Sequence, residues 1–584
     1  MSTLLGLSFG HHDSAAALLV DGRVVSAIQE ERLSRMKHDS RFPHHAIRHV
    51  LAVSGIRPQE LDAVYYYEDP FRKFERIART HLFRDRAGLA AVVREWVARG
   101  KFEILGRIAS ELRIDRSRVF HCRHHESHAA SAYFSSPFDR ATVVVIDGVG
   151  EHETASAWMG DGTSLRMFAH LRFPHSIGLL YSAFTSFLGF EVNDGEYKVM
   201  GLAGYGVPCR TGDVLKTLLS RKPLRLSSRY FSSILRGGMF YTPAFLELFG
   251  SPRALNASIA DDELENGSGA AIEADRRYAD IAASIQLVTE ELVAGFVCDA
   301  VARTGVQNVA IAGGVALNAL ANARLVNEHG LHLYVHPAPG DAGAALGAAL
   351  WGHCVHRGGR RPKALNHCFL GGAYSAEEIE TALRDGGFWQ WTRYASMGSL
   401  FDETASLLAA GKVVGWFQGR SEWGPRALGA RSILCRPYPA EMRDRVNAQI
   451  KFREIFRPFA PAVLAERAHE VFEMKPAERL TQPESFMLSI VRVRDEFRSI
   501  IPAVTHVDGT ARVQLVWPHP ETHFRSLLER FSARTGIPVL LNTSFNLRGE
   551  PIVETPADAL QTFSWSGLDV LAIGEFLVFK CDLP

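Results

Sequence analysis

Residues 142–171 read TVVVIDGVGEHETASAWMGDGTSLRMFAHL, and the fold of the chain follows from how this stretch is parsed. Thr142–Ile146 is a β-branched apolar run, the composition of a buried strand. Asp147–Glu151 (DGVGE) is a Gly-rich acidic loop, and Thr154–Met159 returns as a strand. Gly160-Asp161-Gly162 makes a turn into a third strand, Leu165–Leu171. The same grammar stands at the start of the chain. LLGLSF (4–9) is a strand, Gly10–Ser14 a polar loop and Ala15–Val20 a strand. Asp21-Gly22 is a hairpin turn into Val24–Ile28. An internal repeat constrains a fold more than any single motif does, although two unrelated hairpins would also satisfy it.

The repeat predicts two ribonuclease-H-like halves, the construction of actin-like ATPases and sugar kinases, with the phosphates of a nucleotide held between the hairpins. Further along, 177–206 is an apolar helix leading into a glycine-bearing segment, and 207–270 is expected to be irregular. Residues 276–304 form a long amphipathic helix stopped by Gly305. Val309–Ala312 runs as a strand into Gly313-Gly314, with a helix expected from about 316. Such a step turns backbone N–H groups towards an anion, which makes Gly313 and Gly314 candidate nucleotide contacts. Asp341 opens an Ala/Gly-rich helix, either to cap it or to face a cleft. A basic Gly/Pro-bearing stretch at 353–368 reads as a linker. The predicted domains are 1–355 and 366–584.

Bulk properties place the chain among ordinary globular proteins. It has 584 residues, 47% hydrophobic and 22% charged, with a formal charge of +1. That balance gives no electrostatic argument for nucleic acid or an acidic membrane as partner. Seven scattered cysteines without a C-x-x-C pair read as reduced thiols, and the N-terminus lacks a signal-peptide pattern. No run reaches about 18 unbroken apolar residues. The expected location is cytoplasmic.

In HCRHHESHAA (121–130), His124 and His128 stand four apart, so on a helix their rings share one face about 5–6 Å apart at Cβ. Two neutral imidazoles so placed suit one divalent ion, and a pair of hydrogen-bonded core histidines is the alternative. The zincin pattern H-E-x-x-H fails, because residue 129 is Ala. In the C-terminal part, arginines and lysines are interleaved with Gly, Pro and hydroxyls in GRSEWGPRALGARS (419–432), KFREIFRPFAP (451–461), DGTAR (508–512) and LLNTSFNLRGE (540–550). Cations set beside packed aromatic residues suit phosphates and carboxylates.

Taken together, the motifs GHHDSAAAL, EERLSRMKHD, HHESHAASAYFSSPF, VVVIDGVGE, NDGEYKVMGLAGYG, AGGVALN, PGDAGAALGAA, GRSEWGPRALGARSI, KFREIFRPFAPAV and LNTSFNLRGEPIV resemble the NodU/CmcH family of O-carbamoyltransferases. That family includes nodulation, cephamycin, tobramycin and ansamycin tailoring enzymes. The resemblance implies a TsaD-like domain on the actin-like fold followed by a YrdC-like α/β domain. It implies that carbamoyl phosphate and ATP, with its Mg, are converted to carbamoyl-adenylate and pyrophosphate. The carbamoyl group then passes to a hydroxyl of a small molecule. The implied metal ligands are His124, His128, Asp147 and Asp341, an N/O set that suits iron(II), manganese or zinc. His12 is implied as the base at the transfer site and Lys37 as the electrostatic holder of the intermediate. Arg426, Lys451, Asn542, Arg512 and Arg548 are implied as the phosphate and carbamoyl set. A homodimer is also implied. Two rival readings are a tRNA threonylcarbamoyl enzyme, against which the neutral charge speaks, and an actin-like sugar kinase, which leaves the basic C-terminal domain unexplained.

Overall fold

The computed structural model describes residues 2–82, 86–236, 239–257, 270–386, 389–451, 457–474, 483–519 and 523–580. Residues 452–456, inside the Lys451–Pro461 motif, and Cys581 lie outside them. Contacts divide the chain into two compact units. The first comprises Met1–Ser8, Ala16–Val24 and Gly55–Ala364; the second comprises Phe9–Ala15, Val25–Ser54 and Leu365–Pro584.

The predicted repeat is present as two five-stranded sheets of one topology. In the first sheet, β1 (Thr3–Ser8), β2 (Ala15–Val20), β3 (Arg23–Gln29), β4 (Ala63–Tyr66) and β5 (Val119–His121) lie in the order β3-β2-β1-β4-β5. The second sheet has β6 (Arg140–Ile146), β7 (Glu153–Asp161), β8 (Ser164–Arg172), β9 (Asn308–Ala312) and β10 (His332–Val335). Its order, β8-β7-β6-β9-β10, is the same path through space. In both sheets the first strand pairs parallel with the fourth, and the fourth with the fifth. The hairpin β6-β7-β8 is antiparallel. Asp21 and Gly22 both have positive φ (49° and 77°), the backbone that a two-residue Asp-Gly hairpin requires. This is the duplicated ribonuclease-H-like fold, and the α/β class holds over the whole chain.

Two expectations give way. The stretch 207–270 is not irregular where it is described: it holds two small antiparallel hairpins, Leu218–Arg221 with Leu224–Leu226 and Phe231–Arg236 with Met239–Tyr241, then the helix Pro243–Phe249. Strands of three to six residues are too short for a period-2 signal to stand out. The helix after Gly313-Gly314 begins at Ala319, not 316. A short 3₁₀ turn, Gly314–Leu317, comes first, and the Asn318 side chain caps the helix by accepting from the Ala321 N–H.

The long helix Ala270–Thr304 packs within the first unit. Its Asp275–Thr304 part has the length and hydropathy of a membrane-crossing segment, but 67% of its most apolar window is buried, the mark of a core helix. Its charged residues Glu291 and Asp299 pair with Arg221 and Lys222.

The second unit is built on an eight-stranded mixed sheet of β11 (Trp389–Arg393), β12 (Val414–Phe417), β13 (Arg431–Cys435), β14 (Ala460–Leu464), β15 (Gln514–Val516), β16 (Val539–Ser544), β17 (Val570–Ile573) and β18 (Phe576–Lys580). The order is β11-β18-β17-β12-β13-β16-β14-β15. Alternation sends Val414, Trp416 and Leu540 into one apolar layer and Phe417, Ile433 and Leu541 into the other, so both faces are covered. The N-terminal segment 25–54 belongs to this unit through specific hydrogen bonds. The Ala27 N–H and Ser26 Oγ donate to the Leu370 carbonyl (3.1 and 3.0 Å), and the buried Arg32 Nη2 donates to the Gly424 carbonyl (2.6 Å).

Candidate metal centre and anion site

His124 and His128 lie on the first two turns of the helix His124–Ser135, whose residues are almost all buried. Asp147 follows the last residue of β6, and Asp341 is the first residue of the helix Asp341–Trp351. Packing brings the four together. A Cβ on Gly347 would lie 1.8 Å from the Ser127 carbonyl oxygen, and one on Gly6 would lie 1.9 Å from that of Ala345. The Ala/Gly-rich sequence of 341–350 is therefore what lets one helix press against its histidine-bearing neighbour and against β1.

The donor atoms converge. The Nε2 atoms of His124 and His128 are 3.2 Å apart. His124 Nε2 is 2.9 Å from Asp147 Oδ2 and 3.6 Å from Asp341 Oδ1; His128 Nε2 is 3.7 and 3.4 Å from the same oxygens. One ligand atom from each residue lies within 4.8 Å of the other three, and all four residues are shielded from solvent. With neutral imidazoles the cluster carries two negative charges in a dry site, a field that calls for a divalent cation. The same field acts on His124. Burial works to lower its pKa, but the Asp341 and Asp147 carboxylates outweigh this and raise it to about 9. The residues present thus fit a four-ligand N/O ion. His125 turns away and bonds Ser156 Oγ at 2.7 Å.

Two supporting roles were not legible in the sequence: that of Glu151, and the hold of Gly314, expected as a nucleotide contact, on Asp147. Glu151, fully buried, accepts from the backbone N–H groups of His124 and Asp69 (both 2.8 Å), so it fixes the start of the ligand helix. Burial raises its pKa to about 7. Gly314 donates its N–H to Asp147 Oδ1 at 3.2 Å, and Gly313, at φ 95°, sits where a Cβ would strike the Ile146 carbonyl. The Gly-Gly step therefore serves close approach and holds the ligand carboxylate. The signal available for both was the adjacency of DGVGE and AGGV to strand ends.

In the second unit, His12 Nδ1 meets Asp13 Oδ2 at 3.0 Å, and Lys37 is half-buried in the turn beyond the helix Glu30–Ser34. Lys451 is buried, and its ammonium, with three N–H donors, stands within hydrogen-bonding distance of four oxygens: Ser544 O (2.5 Å), Ser544 Oγ (3.2 Å), Asn546 O (3.0 Å) and Asn546 Oδ1 (2.8 Å). Asn542, on the same strand, donates Nδ2 to Gln514 Oε1 (2.7 Å) and the Ala427 carbonyl (3.3 Å). The Lys451 side chain thus reaches the end of β16, the strand that carries Asn542. The segments carrying Arg426 and Arg512 meet there through Ala427 and Gln514. Arg426 and Arg512 are half-buried, and Arg548 is exposed past the end of β16. A second group with donor atoms within 4.8 Å is Asp13, Glu31 and His38.

A family profile described as carbamoyltransferase N-terminus matches residues 3–350, and one described as carbamoyltransferase C-terminus matches residues 405–580. The chain belongs to the carbamoyltransferase family. It is therefore similar in sequence to curated proteins over nearly its whole length. An uncharacterized protein of Synechocystis is 42% identical, with 100% of this chain and 98% of that protein aligned. Nodulation protein NolNO of Sinorhizobium fredii is 35% identical over 97% of this chain and 79% of its own, and nodulation protein U of Rhizobium tropici 30% identical over 96% and 93%. Among solved structures, HypF of T. kodakarensis overlaps 62% of this chain and 49% of its own at 16% identity, with a TM-score of 0.31, too low to carry an argument. The chain is a carbamoyltransferase enzyme on an α/β fold.

Proposed function

We propose that this carbamoyltransferase is an ATP-dependent O-carbamoyltransferase that makes carbamoyl-adenylate in the C-terminal domain (366–584) and uses it in the TsaD-like domain (1–355) to carbamoylate a hydroxyl of a small molecule. The observation that carries the reading is the buried His124, His128, Asp147 and Asp341 cluster set in a duplicated ribonuclease-H-like fold. Carbamoyl phosphate loses phosphate to water, and an oxygen of the resulting carbamate attacks the α-phosphorus of ATP, expelling pyrophosphate. Arg426, Arg512, Arg548 and Lys451 balance the charge that accumulates on the departing phosphates, and Asn542 orients the carbamoyl group. Lys451, held by the Ser544 and Asn546 oxygens, keeps its charge at a fixed point.

In the second step the acceptor hydroxyl gives its proton to His12 while its oxygen attacks the carbamoyl carbon and AMP leaves. An imidazole is a usable base at neutral pH. Lys37 offsets the negative charge of the adenylate. A divalent ion of the kind this N/O donor set suits, iron(II), manganese or zinc, would supply Lewis-acid polarisation of a carbonyl or phosphate oxygen when bound to His124, His128, Asp147 and Asp341. The acceptor belongs to the class of sugar or natural-product hydroxyls.

The test is incubation of the purified protein with ATP and carbamoyl phosphate. Formation of AMP and pyrophosphate that depends on carbamoyl phosphate is the expected result. Formation of ADP without any need for carbamoyl phosphate would refute it and favour a kinase.

A further inference from the structure

Asp13 has no part in the chemistry assigned so far, yet its carboxylate stands between two imidazoles. Its Oδ2 lies 3.0 Å from His12 Nδ1 and its Oδ1 lies 2.8 Å from His38 Nδ1. Backbone bonds lace the two segments that carry these groups. The N–H groups of Gly10, Ser14 and Glu30 donate to the carbonyls of Ser40, Asp39 and Ser14, at 2.9, 2.8 and 2.8 Å. Asp13 (φ 52°) and His38 (φ 54°) both sit in the left-handed region. Asp tolerates that backbone better than most residues, and there it turns its carboxylate between the two rings. Glu31 Oε2 accepts the His38 N–H at 2.9 Å and fixes the backbone on that side. The three side chains keep between a quarter and a third of their surface, 27% for His12, 28% for Asp13 and 33% for His38, so the cluster is open to a substrate.

An ionised carboxylate accepts hydrogen bonds and donates none, so both Nδ1 atoms must carry the proton. The lone pair of a neutral His12 is then on Nε2. Burial works to raise the Asp13 pKa, but the two imidazole donors outweigh it and keep the carboxyl below its usual range. Ionised Asp13 is the form that sets the tautomer.

We propose that Asp13 is the positioning residue of the transfer site: its carboxylate holds His12 as the Nδ1–H tautomer, aiming the Nε2 lone pair at the acceptor hydroxyl, and His38 locks the carboxylate from its other oxygen. This rests on His12 being the base. When the hydroxyl proton moves to His12 Nε2, the acceptor oxygen forms its bond to the carbamoyl carbon. The bond from that carbon to the adenylate oxygen breaks, and AMP departs with the electron pair. Asp13 stays ionised and faces the imidazolium across a short contact, the role of the carboxylate in a Ser-His-Asp triad.

The test is ¹³C NMR of the full chain labelled in histidine, in mildly alkaline buffer, with the His12 and His38 ring signals assigned by difference against His12→Gln and His38→Gln. The expected wild-type spectrum places His12 in the Nδ1–H form. Asp13→Ala moves it to the Nε2–H form that free histidine side chains favour. His38→Asn, whose amide N–H reaches the same carboxylate oxygen, keeps the wild-type tautomer, and His38→Leu does not. A wild-type His12 in the Nε2–H form, or one unmoved by Asp13→Ala, overturns the proposal without any acceptor being needed.

A cooperative thermal melt of Asp13→Ala with the far-UV circular dichroism of wild type shows that the fold is intact. With ethylene glycol as the hydroxyl probe and the carbamate ester read by mass spectrometry, Asp13→Asn is expected to lower the transfer kcat about 10²- to 10⁴-fold at an unchanged KM for carbamoyl phosphate. If His12→Gln still forms the ester, the base assignment fails. If His12→Gln is inactive while Asp13→Asn matches wild type, the positioning role alone fails.

Discussion

Gly347→Ala should empty the metal centre without touching a ligand. The new Cβ would start 1.8 Å from the Ser127 carbonyl oxygen and 3.0 Å from Ser131 Cβ. Ordinary C···O contact begins at roughly 3.3 Å, so the helices His124–Ser135 and Asp341–Trp351 must separate by about 1.5 Å at this point. Overpacking of this kind costs about 1–3 kcal/mol of stability. The larger effect is on geometry, because His128 and Asp341 lie on the two helices that part, and metal–ligand distances tolerate only about 0.2 Å. Weakening of ion binding by about 100-fold or more is expected, against the 10- to 100-fold typical of lost supporting contacts. The assay is metal content by plasma mass spectrometry after dialysis, alongside thermal melting and formation of AMP and pyrophosphate. Gly106→Ala is the control, since nothing lies within 4 Å of a Cβ there. Gly347→Ala protein that retains stoichiometric metal would refute the packing argument. Loss of pyrophosphate formation along with the metal would refute the assignment of activation to the other domain.

Further outcomes follow from the same geometry. A Cβ on Gly150 would meet His124 Cδ2 at 2.8 Å, so Gly150→Val should displace that imidazole and lower metal retention in the same dialysis assay. Removing the ion with a chelator should cost about 2.7 kcal/mol of stability for a site held at 100 times its Kd, read as a lower melting temperature that readdition restores. Lys451→Ala leaves the Ser544 and Asn546 oxygens without their ammonium and should cut formation of AMP and pyrophosphate by more than about 100-fold. His12→Asn should leave that formation intact and stop ester formation; failure of both variants at one step would remove the division of labour. Burial of His506 lowers its pKa to about 4, and its Nε2 is shut off from solvent. Because the folded value lies below the unfolded one, folding loses stability as pH falls from about 6.5 towards 4 and keeps it above 6.5. His506→Gln should flatten that acid limb in urea melts at pH 5 against pH 7, and an unchanged slope would count against the assignment.

The sequence by itself determined the repeat. The alternation of apolar strands with Asp-Gly turns at 15–28 and 154–171 is local chemistry, and it carries over into the two sheets with one strand order. It also determined that His124 and His128 share a helical face, because a four-residue spacing is a property of the helix alone. The short hairpins at 218–241 were missed, since three- to six-residue strands carry too little periodicity to read. Tertiary structure decided the rest. Asp341 reaches the histidines because Gly347 and Gly6 let its helix touch the histidine helix and β1 at backbone distance, and Gly150 packs the loop after Asp147 against His124; a distance set by packing leaves no periodic trace in a chain. The tie of Glu151 to the His124 N–H, the grip of Gly314 on Asp147, and the seat of Asp13 between His12 and His38 are of the same kind. The grouping of residues 25–54 with the C-terminal sheet is another such case, made by bonds such as Arg32 to Gly424 across nearly four hundred residues of chain. Residue types name what a site can do; the fold sets which of them stand within bonding distance.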